Sequence, residues 1–256
     1  MSELKALIFD VDGTLADTER DGHRLAFNRA FTDAGLDWHW DVDTYGRLLE
    51  VTGGKERIRH FVEQLGSGFD APVDIESFIR KLHESKTRHY LLLLKSGAIP
   101  LRPGVERLIH EVRAASLKLA IATTTTLENV MTLLKAKLGE DSLGWFDVIA
   151  AGDVVPRKKP APDVYHYALQ RLGLKPAECL AIEDSEHGLA AAAGAGVKTI
   201  ITVNDYTQLQ DFTGAAIVLN HLGEPDASFQ VLAGDVREAS LADLPLLRSV
   251  SAKPRH

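Results

Sequence analysis

Three carboxylates, Asp10, Asp12 and Asp17, crowd into the stretch ALIFDVDGTLADTE at residues 6–19, directly after an apolar run. Neighbouring carboxylates raise one another's pKa, so they remain ionised together only where a cation or donor compensates. The stretch therefore calls for a metal ion. Three more polar clusters stand at the ends of apolar runs or ahead of helical patterns: TTTT (123–126), KKPAPD (158–163) and EDS (183–185). Each alone is weak evidence, because Asp and Thr are ordinary turn and N-cap residues. Together they hold what phosphoryl transfer needs, a nucleophile plus groups that position and neutralise the phosphoryl oxygens. Asp10, at the end of its run, can be that nucleophile and form an aspartyl-phosphate. Asp12 can protonate the leaving oxygen and then activate water. Glu183 and Asp184, with Asp10 and Asp12, supply the hard oxygen ligands that Mg²⁺ takes. Thr123 can donate to a phosphoryl oxygen, and the amides of Thr124, Thr125 and Thr126 mark a helix start, a natural anion site. Lys159 adds a positive charge that can hold phosphate and neutralise Asp10. The plainer alternative, helix caps and a solvated lysine, loses weight because all four clusters share one chain.

The 256 residues suit one large domain or a core with a small second domain, and 45% hydrophobic with 25% charged residues describes an ordinary globular protein. A net charge of −7 argues against a nucleic-acid partner, whose binding rests on Lys and Arg neutralising phosphate. Cys179 is the only cysteine, which precludes an internal disulfide and suits a reducing compartment. No basic n-region with an apolar h-region opens the chain, and no apolar run approaches the ~18 residues of a membrane span. The expectation is a cytoplasmic monomer with no membrane partner.

The elements that must position these residues follow from periodicity. Strand-like runs at 4–9, 117–122, 146–151, 180–182 and 199–203 alternate, after the first, with helical patterns. That alternation predicts an α/β fold: a doubly wound (Rossmann-like) parallel sheet, with ligands at the carboxyl ends of its strands. Between the first and second strands, RLAFNRAF, RIRHFVEQL and ESFIRKLHESKTRHYLLLLK carry helical spacing, and SGAIPLRPG reads as a return linker. The expected division is a core of residues 1–16 and 97–256 with an inserted α-helical cap domain of residues 17–96. SFQVLAG in the tail can add a strand. Trp38, Trp40 and Trp145 read as packing residues, and His187 as structural.

Through DVDGT, Thr123, Lys159 and EDS the chain resembles the haloacid dehalogenase-like hydrolases, with a helical cap like that of the β-phosphoglucomutase and phosphoglycolate-phosphatase relatives. The resemblance implies that Asp10 is the nucleophile, Asp12 the acid/base, and Glu183 or Asp184 the metal acid, with Mg²⁺ as cofactor. More narrowly, DTERDGH, TGGKERI and IEDSEHG resemble CbbY-type phosphatases, associated with carbon-fixation operons of the Calvin cycle. This implies a sugar bisphosphate substrate, xylulose-1,5-bisphosphate, giving xylulose 5-phosphate. A second phosphate needs a second cationic site, for which the cap offers Lys55, Arg57 and Arg59 after Gly53 and Gly54, along with Arg20 and His23; Glu19 and His23 are also candidates for substrate hydroxyls. The alternative for KERIRHF is a solvated basic helix face. Alternative activities are a β-phosphoglucomutase-like mutase and a phosphoglycolate phosphatase.

Overall fold

Short runs of β-branched and aliphatic residues bounded by turn residues become strands, buried except for the exposed last one, and the computed structural model describes residues 3–51 and 53–252. The strands are β1 (Ala6–Phe9), β2 (Lys118–Ala122), β3 (Val148–Ala150), β4 (Cys179–Glu183), β5 (Lys198–Thr202), β6 (Ile217–Leu219) and β7 (Val231–Gly234). They form one sheet in the order β3-β2-β1-β4-β5-β6-β7, parallel throughout except for the antiparallel β6–β7 pair. The chain steps outward from β1 to β2 and β3, then returns to lay β4 on the other side of β1. The sheet's switch point therefore lies between β1 and β4, where open α/β sheets bind ligands.

Side chains alternate across this sheet. Ala6, Ile8, Ala120, Ala122 and Ala181 pack with α7 (Asp163–Leu172) and α8 (Glu186–Gly194) in one core cluster. Leu7, Phe9, Leu119, Ile121, Leu180 and Ile182 are equally buried and point to the opposite face. There α5 (Val105–Ala114) packs beside β2 and α9 (Leu244–Ala252) beside β4, so the sheet is covered on both sides. Cys179 lies in β4 and is buried, and burial pushes its thiol up to about 12, which leaves it an inert packing residue.

The chain divides into two compact units, one of residues 1–17 and 100–256, the other of residues 18–99. The sequence reading places the joins one residue earlier at the first crossing and three earlier at the second. The second unit opens with a π-helical turn, Glu19–His23, that runs into α1 (Arg24–Asp33), followed by α2 (Val42–Leu48), α3 (Gly54–Leu65) and α4 (Ile75–Lys95). Asp41 and Asp74 cap α2 and α4 by accepting from Thr44 N and Ser77 N. Its core is aromatic: Phe27, Phe31 and Tyr45 surround Trp40, and Trp38 meets Phe61, Phe69 and Phe78 edge-on. Trp38 and Trp40 are thus packing residues; Trp145 lies under the Arg113 guanidinium at 4.0 Å. Strand β6 and helix α2, each short, escape the periodicity argument, whereas SFQVLAG does contain β7. Among the described residues no helix is long and apolar enough to cross a membrane.

Candidate active site

Parallel register brings the polar clusters together at one edge of the sheet. Phe9 pairs with Ile121 on one side and Ile182 on the other, so Asp10 follows β1 level with the Glu183–Asp184 end of β4. The Asp10 amide continues the ladder by donating to Ile182 O at 3.0 Å. Carboxylate oxygens of Asp10, Glu183 and Asp184 lie within 4.8 Å of one another, all three residues buried. Lys159, on the loop before α7, reaches them: its Nζ donates to Asp10 Oδ1 and to Glu183 Oε1, each at 2.6 Å. Tyr165, on the first turn of α7, donates its hydroxyl to the same Glu183 oxygen at 2.5 Å.

Electrostatics follow from burial. Burial raises the Glu183 carboxyl, Lys159 pulls it down and Asp10 pushes it back up, leaving it at about 7. Burial, then repulsion from Asp10 and Glu183, holds Asp184 well above the usual carboxylate range, against the pull of Arg102 and Asn204. For Lys159 burial works toward neutrality, but Asp10 and Glu183 outweigh it and keep the ammonium charged. Burial and Glu183 likewise hold the Tyr165 hydroxyl protonated, so it remains a donor.

One ammonium, bonded to Asp10 and Glu183, is too little positive charge for three carboxylates, and Glu183 Oε2 is buried with no hydrogen-bond partner. An orphaned buried carboxylate oxygen beside two other carboxylates is a donor set that fits a hard divalent cation. Two glycines shape it. A Cβ on Gly188 would stand 1.9 Å from Glu183 Oε2, and one on Gly13, whose φ is +80°, would stand 2.2 Å from Asp184 Oδ2. Asp184 is held by Asn204 Nδ2 donating to Oδ2 at 2.7 Å and by Thr14 Oγ1 donating to Oδ1 at 3.4 Å.

The remaining predicted residues of this unit have other surroundings. Asp12 is half-buried in the turn after β1, outside the carboxylate cluster. Thr123, buried, directly follows β2 and accepts from Thr125 N at 3.3 Å; its own amide donates to Ala150 O. Thr126 is the N-cap of α6 (Leu127–Leu138), Thr125 accepts from Asn129 Nδ2, and Thr124 is exposed. His187 is exposed on the first turn of α8, away from any role in the cluster. Tyr165, Asn204 and Arg102 escape the sequence reading. Tyr165 has a faint signal in standing six residues after Lys159; the other two have none.

In the unit of residues 18–99 the predicted residues form a second set. Tyr45 donates its hydroxyl to Glu19 Oε2 at 2.5 Å and accepts from Arg57 Nη1 at 2.9 Å. Arg57 also donates to Leu48 O and Val51 O, and is buried at 8% exposure. The basic run thus separates into three environments: Lys55 exposed, Arg57 buried as a staple of the α2–α3 loop, and Arg59 paired with Glu76 at 2.7 Å. Arg20 pairs with its neighbour Asp21. Gly53, φ +98°, is the N-cap of α3, and Gly54 opens the helix where a Cβ would meet the His83 ring at 2.7 Å. His23 stacks on Tyr90 with ring centroids 3.8 Å apart and accepts at Nδ1 from Lys86 Nζ at 2.7 Å. Burial, then the Lys86 charge, holds this imidazole neutral, well below the ordinary histidine range.

Comparison with known proteins agrees with this geometry. The family model for haloacid dehalogenase-like hydrolases matches residues 4–196. Protein CbbY of Cupriavidus necator is 50% identical over 222 residues, 87% of each chain, and protein CbbY of Rhodobacter capsulatus is 53% identical over 83% of this chain and 91% of its own. Two crystal structures of CbbY from Rhodobacter sphaeroides, one with phosphate and one of a mutant with xylulose-(1,5)bisphosphate, superpose with a TM-score of 0.71 at 44% identity, covering 85% of this chain and 94% of theirs. The chain that carries this buried acidic cluster at its β1–β4 switch point therefore belongs to the CbbY family within the haloacid dehalogenase-like hydrolases.

Proposed function

We propose that this chain is a Mg²⁺-dependent phosphatase that hydrolyses xylulose-1,5-bisphosphate to xylulose 5-phosphate through a phosphoryl group carried on Asp10. The observation that carries the reaction class is Lys159 bridging Asp10 and Glu183 beside Asp184, which sets an ammonium against a strand-end carboxylate next to a donor set that fits a divalent cation. The substrate rests on the Rhodobacter sphaeroides CbbY crystallised with that sugar.

Asp10 attacks phosphorus as the ester oxygen departs in line, and Asp12 gives its proton to the departing sugar oxygen. Asp12, now a carboxylate, takes a proton from the water that attacks phosphoryl-Asp10, and inorganic phosphate leaves. Lys159 and the Thr124–Thr126 amides neutralise and orient the phosphoryl oxygens, with Thr123 Oγ1 as a further donor. Asp10, Asp12, Glu183 and Asp184 are the residues assigned to Mg²⁺, which when bound screens the charge between the Asp10 carboxylate and the phosphoryl group. Glu19, His23, Gly53, Gly54, Lys55 and Arg57 are assigned to the rest of the sugar: Lys55 to the remote phosphate, Glu19 to a hydroxyl, and Arg57 to holding Tyr45 and Glu19 in place.

The test is phosphate release from xylulose-1,5-bisphosphate in ¹⁸O water, with and without chelator, by wild type and Asp10→Asn. Label in the released phosphate, loss of activity in chelator and loss of turnover in Asp10→Asn support the assignment. Phosphate returned to sugar without label would make the enzyme a mutase, and turnover by Asp10→Asn would overturn the nucleophile.

A further inference from the structure

We propose that Arg102 and Asn204 are positioning residues for the divalent-cation site, holding the Gly13 turn against Asp184. The inference rests on the reading of Asp10, Glu183 and Asp184 as that site. It starts from the third carboxylate of the opening stretch, Asp17, which lies outside the acidic cluster and instead faces Arg102 Nε at 3.3 Å. Arg102 is 7% exposed, and its Nη atoms donate to four backbone carbonyls: Gly13, Thr202, Val203 and Asn220. Gly13, Val203 and Asn220 belong to the loops that follow β1, β5 and β6, and Thr202 is the last residue of β5, all at the carboxyl end of the sheet.

Stability alone does not call for such a residue, since a buried ion pair is often no better than an apolar packing of the same volume. What the planar fork supplies is geometry, drawing four carbonyls from three strand ends to one point. One of the four is shared: Asn204 Nδ2 lies 3.4 Å from Gly13 O while donating to Asp184 Oδ2 at 2.7 Å. The Gly13 backbone abuts that same carboxylate, close enough that a Cβ would overlap it. A displaced Gly13 turn would therefore displace Asp184, through the path Asp17–Arg102–Gly13–Asn204–Asp184 within one unit.

The test measures Mn²⁺ binding to the full chain by water proton relaxation, with Mg²⁺ competition, alongside thermal midpoints. The variants are Asn204→Ala and Arg102→Lys, with Arg107→Lys as control. Arg107 also holds carbonyls, those of Leu222, Gly223 and Ala242, but not that of Gly13, the residue that abuts Asp184. Partners of metal-binding groups typically matter by about 10- to 100-fold in affinity, so Asn204→Ala and Arg102→Lys should weaken Mn²⁺ about tenfold or more. Arg107→Lys should leave Mn²⁺ affinity unchanged whatever its thermal midpoint. Should Arg102→Lys fail to fold, Asn204→Ala decides. Unchanged Mn²⁺ affinity in Asn204→Ala, or an equal loss in Arg107→Lys, overturns the proposal. A wild-type chain that binds no Mn²⁺ overturns the cation site itself, which separates the two failures.

Discussion

Gly188→Ala sets helix propensity against site geometry, and the structure says which wins. Gly188 lies in the first turn of α8, where alanine is the better helix former by up to about 1 kcal/mol. Its added methyl would stand 1.9 Å from Glu183 Oε2 and 2.3 Å from Cδ, so the carboxylate must move. That carboxylate is pinned through its other oxygen by Lys159 and Tyr165. Each hydrogen bond to a charged group contributes about 1.5 to 3 kcal/mol, so losing both costs about 3 to 6 and leaves a net destabilisation of about 2 to 5 kcal/mol after the helix gain. The assay is urea unfolding followed by circular dichroism, in the wild-type background and in Glu183→Ala. In the second background the obstacle is gone, and Gly188→Ala should be neutral or stabilising by up to about 1 kcal/mol, the sign reversal being the signature of direct coupling. A Gly188→Ala protein as stable as wild type, or the same penalty in both backgrounds, would refute the reasoning.

Asp12→Asn should lose about 10²- to 10⁴-fold in kcat on a sugar phosphate but much less on p-nitrophenyl phosphate, whose leaving group needs no proton; equal losses on both would count against the acid role. Lys55→Ala should lower kcat/KM for a pentulose bisphosphate at least about tenfold more than for its monophosphate, one charged contact being worth about 1.5 to 3 kcal/mol. Arg57→Ala, by contrast, should lower the unfolding midpoint as well, because Arg57 holds Leu48 O, Val51 O and Tyr45; an Arg57→Ala protein of wild-type stability would show that these bonds carry nothing. His23 is held neutral in the folded chain, whereas in the unfolded chain it protonates near its ordinary value of 6.5. The stability this confers is full above about pH 6.5 and falls as pH drops toward the depressed folded value, by up to about 1.4 kcal/mol per pH unit, and His23→Gln should flatten that slope in pH-dependent urea melts.

The convergence of Asp10, Lys159, Glu183 and Asp184 in space was legible in the chain because a parallel sheet converts sequence order into place. Each belongs to a polar cluster at a strand end or ahead of a helix, and strand ends of one parallel sheet converge on one edge. The covered sheet and the helical insertion were legible for the same reason, since periods of two and 3.6 residues are local properties. Three-residue β6 and seven-residue α2 were not, being too short to show a period. The fates of the charges were decided elsewhere. Nothing local distinguishes Arg57 from Lys55, yet one is buried against Leu48 and Val51 and the other exposed. Asp17 belongs by spacing with Asp10 and Asp12 but pairs with Arg102, 85 positions along the chain. Asn204 and Tyr165 meet their carboxylates 20 and 18 residues away. A buried charge or donor must find a partner at hydrogen-bond distance, and only the folded chain determines which distant group stands there.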